Sequence, residues 1–221
     1  MSDVGIPDAT ARAIIVIFAL ILCGAFLAGF LIGSIPFGYL VGRWFYRTDI
    51  RTQGSGNIGA MNALRTLGKG GAVAVLLLDA LKGFAPVFGF RLYAHWMDPD
   101  IKSLILALIA AGAVLGHCYS PWLKFKGGKG VATSFGAIFG LCWPAGLVAV
   151  AGWLAGATVT RYSSVGSMLG SLLAPFALWS FTGSIAETAY GAFAALLILF
   201  KHRDNVARIR SGTEGPIRLK R

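Results

Sequence analysis

Two glycine-rich, cationic segments hold the residues of this chain best suited to chemistry. They are Gln53-Gly-Ser-Gly-Asn-Ile-Gly-Ala-Met-Asn62 and Phe125-Lys-Gly-Gly-Lys-Gly-Val-Ala-Thr133. Small residues let backbone N–H groups approach a ligand closely, and Lys126, Lys129 and nearby Arg65 supply positive charge. That combination suits phosphate. Asp79 and Lys82 stand at i and i+3 within an apolar stretch, so they share one helical face. Charges in such a stretch are costly, so Lys82 either draws an anionic substrate or neutralises Asp79 and fixes helix packing. His117 ends another apolar stretch just ahead of the second loop. It serves there either as a structural hydrogen-bonder or as a working group beside Lys126 and Lys129. In the tail, His202, Asn205 and Arg208 follow a spacing of i, i+3 and i+6, which aligns them along one helix face. Glu214, after Gly212, is placed to pair with a cation and hold the tail.

The elements that must position these residues are set by apolar runs. Of 221 residues, 56% are hydrophobic and 13% charged, about half the charged share of a soluble domain. Ala13 to Gly33 and Ser163 to Phe181 contain no Asp, Glu, Lys, Arg or His. Each approaches the roughly 20 residues that cross a bilayer as a helix. Backbone polar groups must be satisfied within lipid, so the runs read as helices rather than open sheets. The first run is long for a cleaved signal and follows Asp3 and Asp8 with one Arg12, so it reads as a retained span. Cys23, Cys118 and Cys142 lie in or beside apolar segments without metal-ligand spacing, and read as small buried hydrophobes.

The formal net charge of +11 sits in short connections: Arg43, Arg47, Arg51, Arg65 and Lys69; Lys124, Lys126 and Lys129; and a tail from Lys201 to Arg221. That distribution marks the cytoplasmic side of a membrane protein rather than a nucleic-acid binder. Arg91 to Lys102, where Asp98 and Asp100 offset the cations, reads as an outside loop. Ala13–Gly33 then runs inward, Ala72–Phe90 outward and Ser103–Tyr119 inward, which puts both glycine loops in the cytoplasm. Ser163–Phe181 and Ile185–Phe200 supply two more crossings. For the basic tail to face the cytoplasm, Val131–Thr160 must divide into a helical pair, and Pro144 is the breaker available. The expectation is an all-α polytopic membrane protein, a single domain over 1–221 with seven crossings, N-terminus out and C-terminus in. Ser34-Ile-Pro-Phe-Gly38 breaks the first apolar stretch, and Tyr39–Tyr46 and Gly59–Leu67 read as short interfacial helices. His95-Trp-Met-Asp-Pro-Asp100 matches a His-x4-Asp acyltransferase pattern, but it falls in the outside loop and is set aside as accidental.

The ordered set of motifs resembles a known family, the bacterial integral-membrane acyl-phosphate:glycerol-3-phosphate acyltransferases. The resemblance runs from about Gly33 to Glu214 and rests on Gly33-Ser-Ile-Pro-Phe-Gly38, the first loop with Arg65, Asp79-Ala-Leu-Lys-Gly83, Gly116-His117 with the second loop, Thr160-Arg-Tyr-Ser163, and His202-Arg-Asp-Asn205 through Arg208 to Glu214. It implies a seven-helix enzyme of the bacterial inner membrane, with its site at the cytoplasmic face. The reaction implied is transfer of a fatty acyl group from acyl phosphate to the sn-1 hydroxyl of glycerol 3-phosphate, giving lysophosphatidic acid and phosphate. By matched position, Ser55, Arg65, His202 and Asn205 are expected to be catalytic. Ser34, Gly54, Gly56, Asn57, Asn62, Lys82, His117, Lys126, Gly127, Gly128, Lys129, Gly130, Thr133 and Arg208 are expected to serve the substrates, with Asp79 and Glu214 structural. Family members commonly carry Thr where this chain has Met61.

The chemistry is coherent on its own terms. An acyl phosphate is a mixed anhydride and already activated, so neither cofactor nor metal is expected. Catalysis reduces to aligning two anions and stabilising charge on the carbonyl oxygen and departing phosphate. A phosphate oxygen of the donor is the expected base, with His202 the alternative. The acyl chain is expected in an apolar groove open to lipid. A transporter of a phosphorylated solute is the competing class, but transporter sites favour the midplane and internal repeats, whereas these motifs gather at one face.

Overall fold

The computed structural model describes residues 8–217, and the basic residues Arg218, Lys220 and Arg221 lie outside them, as does Asp3. Among the described residues the fold is all-helical. The helices are α1 (Asp8–Gly33), α2 (Phe37–Phe45), α3 (Ala60–Thr66), α4 (Gly68–Tyr93), α5 (Pro99–Cys118), α6 (Val131–Leu141), α7 (Trp143–Thr160), α8 (Ser163–Thr182), α9 (Ile185–Lys201) and α10 (Arg203–Arg210). Short 3-10 turns at Ile50–Thr52 and Pro121–Leu123 precede the two glycine loops. Five helical stretches are long and apolar enough to cross a membrane, or six if α9 and α10, bent by 49°, count as one. The expected spans and both interfacial helices fall within five residues of these bounds.

Close backbone approach assembles the bundle. In lipid no hydrophobic force drives helices together, so small residues at the seams supply packing instead. A Cβ at Gly29 or Gly33 of α1 would strike the backbone of Ile109 or Ala113 in α5, and Gly112 and Gly116 of α5 are as tightly pressed on Phe26 and Phe30. Gly83 of α4 backs onto Thr133 of α6 in the same manner. The outward face of α1 carries exposed Ile14, Ile15, Leu20, Leu27 and Leu31, as a lipid-facing helix should.

The chain breaks where Pro144 requires it. Cys142 is extended (φ −157°, ψ 106°), α6 stops at Leu141, and Pro144 occupies the first turn of α7. Proline there has no N–H to continue the α6 ladder. Arg91 donates to the freed Leu141 carbonyl, so this break lies at the same end as the α4–α5 loop. The opposite end of α7 returns to the glycine loops, since the Arg161 carbonyl accepts from Ile217 N–H at 2.8 Å and Ser164 donates to Glu214 at 3.2 Å. Thus α6 and α7 leave and return to one end of the bundle. With 11 residues, α6 rises about 16 Å, half of a hydrocarbon core roughly 30 Å thick.

Candidate active site

The first loop is wrapped around one side chain. Asn62, on α3 and 2% exposed, accepts the Ser55 N–H at Oδ1 (2.8 Å) and donates from Nδ2 to the carbonyls of Ile50 (2.7 Å) and Gln53 (3.2 Å). Its amide is consumed in shaping the loop. Gly54 and Gly56 take positive φ (58° and 69°), which closes the turn. Asn57 folds back to accept Gly59 N–H at 2.8 Å. Ser55 is left exposed on the outside of this turn, and Arg65, also exposed, donates to the Gly215 carbonyl at 3.4 Å.

The second loop departs from expectation. Gly127 N–H donates to the Cys118 carbonyl (3.2 Å) and Gly128 N–H to the His117 carbonyl (3.0 Å). These amides close the end of α5, so they are not free to cradle phosphate. The donors left are the first-turn amides of α6, at Val131, Ala132 and Thr133, where the helix dipole also favours an anion. The first α6 bond runs from Ser134 N–H to the Gly130 carbonyl at 2.8 Å, and Gly130 turns the chain with φ 87°. Thr133 is fully buried, with its hydroxyl unpartnered among the described residues. Ahead of the glycines, Lys124 and Phe125 both hold positive φ (52° and 61°) without being glycine, a strained conformation. Lys126 is exposed.

The tail completes the cluster. The i, i+3, i+6 spacing falls on α10 and its cap: His202 is the N-cap residue, its carbonyl accepting Val206 N–H at 3.0 Å, and Asn205 and Arg208 lie within the helix. Asn205 and Arg208 converge on Glu214, which accepts from Asn205 Nδ2 and Arg208 Nε, each at 2.7 Å. Lys129 donates from Nζ to Asn205 Oδ1, which joins the second loop to α10. Burial above all, then the charge of Arg208, lowers Lys129 to about 8. Burial and then the Lys129 charge bring His202 down to about 4, so its ring is neutral at pH 7. Burial pushes Glu214 up, but the hydrogen bonds from Asn205 and Arg208 outweigh it and hold the carboxyl below its ordinary range.

Asp79, Lys82 and His117 form a separate buried group. Lys82 Nζ lies 2.7 Å from Asp79 Oδ1 and donates to the Ile35 carbonyl at 2.8 Å, while His117 Nδ1 stands 3.6 Å from the same Asp79 oxygen. The lysine is therefore neutralised and sits level with the ends of α1 and α5. Ser34 is equally engaged: its hydroxyl donates to Leu31 O (2.7 Å) and accepts from Trp122 Nε1 (2.9 Å), and its carbonyl accepts from Ser120 (2.6 Å). The set-aside His95 motif lies at the far end, where Asp98 caps α5 by accepting from Asp100 and Ile101 N–H.

A family profile described as glycerol-3-phosphate acyltransferase matches residues 23–212. The chain belongs to the glycerol-3-phosphate acyltransferase family. It is 47% identical over 197 residues to the glycerol-3-phosphate acyltransferase of Rhodopseudomonas palustris (strain BisB5), covering 89% of this chain and 96% of that one. A Brucella suis (strain ATCC 23445 / NCTC 10510) counterpart is 44% identical over 205 residues, 92% of this chain and 96% of the relative. Among solved structures, the integral membrane glycerol 3-phosphate acyltransferase PlsY (YgiH) in its glycerol 3-phosphate form superposes with TM-score 0.79 and 32% identity, over 91% of this chain and 96% of that chain. Its lysophosphatidic acid form gives TM-score 0.77 at 31% identity, over 91% and 95%.

For this acyltransferase the sequence reading placed Glu214 against a cation, as Arg208 shows at 2.7 Å, but missed the partners of the tail strap of residues 211–217. It spans from Arg65, through Glu214, to the α7–α8 corner at Arg161 and Ser164. The only sequence signal for Ser164 is its place beside Thr160-Arg-Tyr-Ser163, in the first turn of an apolar helix. A carboxylate–imidazole pair beside the glycine loops also escaped notice, because Asp79 and His117 lie 38 positions apart.

Proposed function

We propose that this enzyme transfers a fatty acyl group from acyl phosphate to the sn-1 hydroxyl of glycerol 3-phosphate, releasing lysophosphatidic acid and inorganic phosphate. The observation that carries the reading is the gathering of Arg65, Lys129, Asn205 and Arg208 at one end of the bundle through the Glu214–Gly215 strap, with His202 as the N-cap of the same α10. Two phosphates repel one another, and three cations at one place offset that cost. Arg65 and Arg208 suit bidentate phosphate contacts, and Lys129 with the α6 N-terminus supplies a second anion seat. The glycerol hydroxyl oxygen attacks the carbonyl carbon, the bond from that carbon to the phosphate oxygen breaks, and the hydroxyl proton passes to the departing phosphate. Neutral His202, with Asn205, orients the hydroxyl, and Ser55 contacts the donor phosphate from the first loop. Thr133, Lys126, Gly54, Gly56 and Asn57 shape or rim these seats, while Ser34, Asn62, Lys82 and His117 act on the fold beneath them.

An apolar groove of about 320 Å³, lined by Ile35, Pro36, Tyr39, Leu40, Trp122 and Leu123, opens beside the Ser34 break and suits the acyl chain. We place seven passages across the bacterial inner membrane, with the described start of α1 outside and the glycine loops and tail in the cytoplasm. Support comes from the basic connections at the glycine-loop end and from the shared end of Lys129 and Arg161. The deciding experiment offers detergent-purified enzyme glycerol 3-phosphate with acyl phosphate, acyl-CoA or acyl carrier protein as donor. Turnover with acyl phosphate is expected. Turnover with only a thioester donor would overturn the donor assignment.

A further inference from the structure

Gly128 lies against the imidazole of His117. A Cβ built on Gly128 would fall on Nε2, with Cε1 and Cδ2 also crowding it. The ring has nowhere to retreat. It is 3% exposed, and its other edge, at Nδ1, stands 3.6 Å from Asp79 Oδ1, which Lys82 holds at 2.7 Å. The backbone is fixed as well, because Gly128 N–H donates to the His117 carbonyl at 3.0 Å.

We infer that His117 is a positioning residue for the reaction: its buried ring is the surface on which the second glycine loop is moulded, and position 128 is glycine to admit that ring. The inference rests on the reading that this loop serves glycerol 3-phosphate. Close approach of phosphate is not the reason for this glycine, since its N–H is spent on α5. Lys129 follows directly, so the seat of Gly128 on the ring sets where Lys129 leaves the loop toward Asn205. Neither nitrogen of His117 takes part at the reacting atoms.

The test is steric complementation. Gly128→Ala should raise KM for glycerol 3-phosphate about tenfold with kcat within about twofold of wild type. His117→Ala leaves the Asp79–Lys82 pair intact and opens space where the new methyl must go. The double variant should return KM to within about threefold of His117→Ala alone, far from additive. Gly127→Ala is the control, because a Cβ there would strike the His117 carbonyl oxygen and the Cys118 backbone. Removing the ring should give Gly127→Ala no relief. Thermal unfolding accompanies each assay. If Gly128→Ala yields no folded protein, recovery of a folded double variant is the expected result. A double variant no better than Gly128→Ala in KM or folding, or equal relief of Gly127→Ala, overturns the inference. A wild-type enzyme that acylates no glycerol 3-phosphate would instead sink the reading of function, and the unfolding series would still report the ring–loop fit.

Discussion

His202 donates from Nδ1 to the carbonyl of Ile198 at 2.8 Å. A carbonyl only accepts, so the proton is on Nδ1 and the lone pair is on Nε2. Burial, with the Lys129 charge, holds this imidazole at about 4. A base this weak is neutral throughout the working range, and its protonation begins only as pH falls toward 4. His202→Gln should therefore retain measurable turnover, and no acidic limb of kcat between about pH 5.5 and 8 should trace to His202. A pH–rate series on wild type and the folded glutamine variant checks this. A limb in that window that vanishes in the variant, together with background turnover, would make His202 the base.

The spans were legible because lipid requires long uncharged runs, and a proline's missing N–H is visible in any sequence; Pro144 divides α6 from α7 as expected. The glycines with Lys126, Lys129 and Arg65 announced phosphate chemistry, and Ser55 and Asn205 were marked as catalytic through the family resemblance. Their roles were less legible, because hydrogen bonds between distant segments set them. Nothing local says that the Asn62 amide is consumed by Ile50, Gln53 and Ser55, or that Gly127 and Gly128 spend their N–H groups on α5. The 49° bend after Lys201 falls before the helix that carries the His202, Asn205 and Arg208 spacing, and Glu214, which gathers Asn205 and Arg208, is what no local pattern announces.

Glu214 should prove structural first and kinetic second. Its carboxylate takes hydrogen bonds from Asn205, Arg208 and Ser164. The Arg208 side chain is 41% exposed, so its charge is screened and worth little. Glu214→Ala should cost about 1–3 kcal/mol through the orphaned donors, read as a lowered Tm. A carboxyl held below its ordinary range stabilises the fold above its unfolded pKa and loses that contribution as pH falls through the folded value. The Tm gap between wild type and Glu214→Ala should accordingly shrink in acid. An unchanged gap from pH 7 down to about 3 would count against this account.

Topology is open to labelling. With Cys23, Cys118 and Cys142 replaced, single cysteines at Lys126 and Arg161 should share one accessibility, and a cysteine at Asp98 the other. The backbone bond between Ile217 and Arg161 puts the α7–α8 corner at the tail's end of the bundle. Opposite labelling of Arg161→Cys and Lys126→Cys to a membrane-impermeant thiol reagent would mean that α6 and α7 do not return to one face.

Lys129 should govern the alkaline side of the rate. At pH 7 it is charged, but burial and the neighbouring Arg208 bring its pKa down to about 8. Raising the pH through that value removes a cation from the proposed phosphate seat, so kcat/KM for glycerol 3-phosphate, which reports the free enzyme, should fall with a midpoint of about 8. An arginine at the same position stays charged across the whole range. Lys129→Arg should therefore lower the plateau, because its fork does not reproduce the contact from Nζ to Asn205, while removing the alkaline limb. Loss of plateau with the limb unmoved would show that another group titrates there, and that Lys129 serves only to tie the second loop to Asn205.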